Sequence, residues 1–77
     1  MTEVHGYLIV IEQAADGGFG AWAPDLPGCV ALGDSVEETT RSMREAIALH
    51  LRGMREDGEP IPAPSTVATA FVDVTAA

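Results

Sequence analysis

A chain of 77 residues has room for one small domain, and a single cysteine leaves it no internal disulfide. Its net charge of −8 comes from twelve acids against four arginines, with no lysine, so direct binding of RNA or DNA is not expected. A chain this short buries only about 60% of its unfolded surface, so its core calls for a supplement from oligomerisation or a partner.

The N-terminal MTEVHGYLIVIEQ has no basic segment, and its apolar run is too short for a signal peptide or a membrane span. A cytoplasmic protein with no membrane association is the expectation. His5 and His50 are far apart and neither belongs to a Cys/His cluster, so no metal or other cofactor is expected. Residues 6–13 (GYLIVIEQ) are β-branched and aromatic and predict a first strand, with Tyr7, Ile9 and Ile11 on one side and Leu8 and Val10 on the other. Residues 14–18 (AADGG) carry the Asp-Gly signal of a hairpin turn, and 19–23 (FGAWA) predict a second strand. Pro24 has no N–H to donate and ends it; Pro27-Gly28 predicts the tight reversal, and residues 29–32 (CVAL) a third strand.

Gly33 breaks that strand and a helix follows, with Ser35 as its cap and Glu38 completing a capping box. Val36, Met43, Ile47, His50 and Met54 fall on one apolar stripe. Arg41, Arg44, Arg52 and Arg55 lie opposite, interleaved with glutamates, as a solvated face. Gly58 predicts the stop. A proline-rich piece, residues 58–65 (GEPIPAPS), leads into 66–74 (TVATAFVDV), a predicted fourth strand.

The order is therefore βββαβ, an α+β domain spanning residues 1–77. It begins with three antiparallel strands, places one helix on one sheet face and adds a fourth strand. Several strands are apolar on both sides, whereas one helix covers one side, so the second layer must come from another copy or another protein.

Two constellations could carry chemistry. Cys29 as a nucleophile would need His50 as its base, but both fall on apolar positions, and an inert packed cysteine is the expectation. Since βββαβ is the first part of the ribonuclease H topology, Glu12, Glu45 and Asp73 could serve metals, but they do not evidently converge. Gly17-Gly18-Phe19-Gly20 precedes no helix and is no phosphate loop. The chain is thus expected not to be an enzyme.

The succession DGGFGAWAPDLPGC, then GDSVEE, then a helix ending in LHLRGMREDGEPIPAPS resembles the HicB antitoxins of bacterial type II toxin–antitoxin systems. The matching positions include Pro24, Asp25, Leu26, Pro27, Gly28, Cys29, Gly33, Asp34, Ser35 and Glu38, and later Gly58, Ile61, Pro62 and Pro64. Thr39 departs from the pattern, standing where alanine is usual. The resemblance implies a partial ribonuclease H-like fold and a protein that neutralises a HicA-type toxin, a small basic ribonuclease that cleaves mRNA, by occluding its RNA-binding and active surface. Many members also carry a C-terminal DNA-binding domain, which is not expected here, so operator binding is not carried over. The alternative is a solitary self-associating module with no toxin. Either way a homodimer or higher homo-oligomer is expected. Trp22, Asp25 and Leu26 are the candidate contact residues, the last two as an exposed corner and Trp22 as an aromatic anchor.

Overall fold

The structure is a computed structural model and describes residues 6–76. His5 lies outside the described residues. Three strands, β1 (Val10–Gln13), β2 (Phe19–Ala23) and β3 (Leu26–Gly33), form one antiparallel sheet in the order β1-β2-β3, and α1 (Val36–Glu56) follows. The α+β reading holds for these elements.

The hairpin between β1 and β2 forms where the Asp-Gly step places it. Gly17 takes a φ of 94°, its N–H donates to the Ala14 carbonyl, and the Asp16 carboxylate accepts from the Gly18 N–H. Residues 6–9, expected as the first half of β1, precede its ladder: the register would set Ile9 opposite Ala23, the last residue of β2, and Leu8 opposite Pro24, which has no N–H to donate.

The corner after β2 departs from expectation. The reversal occurs at Pro24-Asp25, with Pro24 presetting φ for the turn, and β3 begins at Leu26 and not at Cys29. Pro27 and Gly28 sit inside β3. Trp22 pairs with Val30 while Ala23 pairs with Leu26, so residues 27–29 bulge out of the ladder. A proline without an N–H and a glycine at φ 85° are tolerated there because a bulge needs no regular ladder bond.

Ser35 caps α1, accepting from the Glu38 N–H at 3.0 Å, and Glu38 reaches back to the Asp34 N–H at 3.4 Å. The helix packs on one sheet face. Ile11, Ala21 and Ala31 lie in register across the three strands on that side. Ala21, Ala23, Leu26, Cys29 and Met43 form the core, and Tyr7, Ile9, Ile11, Ala46, Ile47 and Leu51 pack around it. The buried stripe is thus shifted from the expected one. Thr39 and Met43 are its most enclosed members, whereas Val36, on the first turn beyond the sheet's cover, is half exposed. All four arginines are exposed, as the helix period requires.

Among the described residues the expected fourth strand is not formed. Residues 66–74 pair with no strand, and Val67, Phe71, Val72 and Val74 are exposed. The reason lies in what precedes them. Pro60, Pro62 and Pro64 stiffen the approach, and the Asp25 carboxylate accepts from the N–H and hydroxyl groups of both Ser65 and Thr66 at 2.8–3.1 Å, fixing where the chain departs.

Candidate functional site

Among the described residues the sheet face turned away from α1 has no second layer over it. Because side chains alternate along a strand, that face is built from two cross-strand rows: Val10, Trp22 and Val30 in one, Glu12, Gly20 and Leu32 in the other. Trp22 is 41% exposed, Val30 63% and Leu32 80%, an apolar floor left to solvent. Apart from Val10, these residues together with the hairpin line a shallow groove of about 650 Å³. Gly20, lacking a side chain, opens its middle. The sequence already held the signal for Val30 and Leu32, since they alternate with Cys29 and Ala31, but they were not singled out as contact residues.

Acidic groups rim the floor. Glu12, Asp16 and Asp34 line the groove. Glu12 accepts a 2.9 Å hydrogen bond from the Trp22 indole N–H, a diagonal pair across β1 and β2 that fixes the indole on the floor. Apolar contact with water excluded, bordered by negative charge, suits a basic protein surface with an apolar centre.

Of the three residues singled out from the sequence, Trp22 is on this face. Asp25 is not a free corner acid. It holds Ser65 and Thr66, and its carboxyl is held below the usual range, chiefly by the Thr66 N–H and then by the Ser65 hydroxyl. Leu26 is the clear correction, for at 1% exposure it is among the most enclosed side chains. The turn at Pro24-Asp25 starts β3 early enough to point Leu26 under the helix, so it anchors the corner from within.

The candidate chemistry does not assemble. Cys29 is buried, and desolvation pushes its thiol up, which disfavours the thiolate a nucleophile requires. His50 lies in a separate small depression with Leu26, Pro27, Met54, Glu59 and Pro62. Glu12, Glu45 and Asp73 do not converge: among the described residues no group of three or more His, Cys, Asp or Glu side chains is placed to hold a metal ion. Nor, among those residues, is any helix long and apolar enough to cross a membrane.

Comparison with known proteins agrees with this architecture. Residues 7–75 match the model of the HicB-like antitoxins of bacterial toxin–antitoxin systems. The chain is 33% identical over 60 residues to the UPF0150 protein ssr1765 of Synechocystis, covering 78% of this chain and 76% of that one. It is 32% identical over 68 residues to antitoxin HicB 1 of Photorhabdus laumondii, covering 88% of this chain but only 44% of that longer protein. Among solved structures, the N-terminal domain of Burkholderia pseudomallei antitoxin HicB superposes with a TM-score of 0.67 at 29% identity, over 75% of this chain and 69% of that one. Three antiparallel strands followed by one helix, a PDLPGC corner and a match across nearly the whole chain place this protein in the HicB-like antitoxin family.

Proposed function

We propose that this chain is an antitoxin that binds a HicA-type toxin, a small basic mRNA-cleaving ribonuclease, and occludes its RNA-binding and active surface. The carrying observation is the uncovered sheet face, with Trp22, Val30 and Leu32 as floor and Glu12, Asp16 and Asp34 as rim. The floor offers apolar burial at roughly 25 cal/mol per Å², and the rim offers charge complementarity to a cationic partner. In this reading the chain supplies no catalysis and needs no cofactor; the chemistry belongs to the toxin. Both proteins act in the cytoplasm, where the toxin finds mRNA.

The test is to look beside its gene for a short basic open reading frame and to co-express the two. This chain should rescue growth arrested by that frame's product and co-purify with it. Leu32→Glu, which puts a charge on the floor without entering the core, should abolish both while leaving the helical circular dichroism intact. Failure of the unaltered chain to rescue would remove the antitoxin reading; rescue by Leu32→Glu would move the interface elsewhere. A second reading, a self-associating module without a toxin, is favoured by the exposed apolar segment 66–74.

A further inference from the structure

We infer that residues 66–74 are a strand in trans: they add to the free edge of β1 in a second copy of this chain, which returns its own segment, closing a reciprocal two-fold dimer. This does not depend on the toxin reading: the pairing is made at a sheet edge, and the added strand would widen the open face without covering it.

The donor comes first. TVATAFVDV is rich in β-branched and aromatic residues, and after Thr66 one of its faces is apolar (Ala68, Ala70, Val72, Val74). In the single chain it gains nothing from that pattern. Val67 is 91% exposed, Phe71 105%, Val72 78% and Val74 83%. The radius of gyration is 14.7 Å, against about 11.5 Å for a compact chain of this length, and the longest dimension is 49 Å against 26 and 24 Å for the others. The segment therefore projects from the body. Its root is fixed, since four hydrogen bonds from Ser65 and Thr66 converge on the Asp25 carboxylate and the Tyr7 hydroxyl donates to the Pro62 carbonyl. A clamped root behind three prolines aims a strand outward, and stiff short hinges favour exchange between copies over folding back.

The acceptor is β1. Among the described residues the strand order leaves one side of β1 without a partner. Strand-type sequence runs through residues 6–13, yet the ladder with β2 engages only Val10–Gln13. That edge carries none of the usual blocks to pairing, having no proline, no lysine and no bulge, and its one acid, Glu12, is turned onto the Trp22 indole. The opposite edge, β3, is interrupted by Pro27 and the bulge at residues 27–29. An eight-residue edge spans about 26 Å, and the nine-residue donor is long enough to cover it. Both faces of the added strand find use. The small apolar face continues the side beneath α1, and Val67 and Phe71 extend the outer floor beside Val10 and Trp22. Each copy holds one donor and one acceptor, so two copies leave no strand over and the assembly closes.

The full chain, unfolded and refolded as a mixture of nitrogen-15-labelled and carbon-13-labelled copies, should be a dimer by light scattering at micromolar concentration. Isotope-filtered NOEs should connect residues 66–74 of one copy with residues 7–13 of the other. In the full-length double variant Thr69→Pro/Ala70→Pro, one of two consecutive N–H groups must be lost from the new ladder. The dimer dissociation constant should rise at least tenfold, with the helical circular dichroism unchanged. A monomer at every concentration would overturn both self-association and exchange. A dimer whose 66–74 contacts stay within one chain, or whose affinity ignores the two prolines, would overturn exchange alone.

Discussion

Gly33 and Thr39 meet where β3 hands over to α1. Thr39 is fully enclosed and its hydroxyl donates to the Ser35 carbonyl at 2.7 Å, so it satisfies its polar atom within the first helical turn. A methyl group on Gly33 would lie 2.8 Å from the Thr39 backbone nitrogen and 3.0 Å from its Cα, contacts no side-chain rotation relieves. Gly33→Ala should therefore cost about 1–3 kcal/mol of stability in denaturant titration. Gly20→Ala, whose nearest neighbour is the flexible Leu32 side chain at 3.4 Å, should be mild by comparison. At Asp25 the folded carboxyl lies below its unfolded value of about 3.9, because the Thr66 N–H and the Ser65 hydroxyl favour the charged form. The sign follows from linkage: the stabilisation is present above the unfolded value and is lost as pH falls through the lower folded one. Amide protection at Ser65 and Thr66 should hold from neutral pH down to the ordinary carboxylate range and disappear only below it. Asp25→Ala should abolish that protection at pH 7; unchanged exchange at both amides would show that the clamp does not hold them. The sequence marked Asp25 as a corner residue, but its partners stand forty and forty-one positions away, beyond the reach of any local pattern.

Among the elements, the helix was the most legible because its signals are local. Its cap, its 3.6-residue period and its stop lie within the segment they govern. The stop is a Schellman motif: Gly58 at φ 71° donates to the Arg55 carbonyl and Glu59 to the Met54 carbonyl. Gly58→Ala forces an L side chain into the left-handed region and should lower stability by about 1 kcal/mol, read as a lower melting temperature. A melting temperature that stays the same or rises would show that the motif does not govern the helix end. The strands were less legible. Pro27-Gly28 has the composition of a turn, yet it is a bulge, and only the pairing of Ala23 with Leu26 and Trp22 with Val30 distinguishes the two. Leu26 was misplaced for the same reason, since moving the strand start by three residues turns a corner side chain into a core one.

For the whole molecule, the core is thin. Among the described residues Leu26 and Met43 are the only large apolar side chains fully withdrawn from solvent, each contributing roughly 1.5–3 kcal/mol of burial. The apolar material that would complete a second layer is present but faces outward on the sheet floor and in residues 66–74. A marginal core beside exposed apolar surface is the condition in which association adds stability. Charge acts at the same scale. In residues 35–57 five acids nearly offset four arginines, so almost all of the net −8 lies elsewhere, part of it on the groove rim. If the partner is a basic toxin, its association rate should fall steeply between low and physiological salt, because steering is screened over about 8–10 Å. A rate indifferent to salt in stopped-flow measurement would mean that the rim does not steer the encounter.

The sequence by itself determined the local grammar of this protein: the hairpin at Asp16-Gly17, the capped and stopped helix, the alternation that makes both sheet faces apolar, and the family motif. These follow from backbone sterics and side-chain periodicity over a few residues. Only the tertiary structure decided which sheet face α1 covers, that Leu26 is inside, that Asp25 clamps the root of a projecting segment, and that residues 66–74 find no strand partner among the described residues. Those outcomes depend on contacts between residues far apart in sequence, where burial and pairing are settled by what lies opposite and not by what lies next.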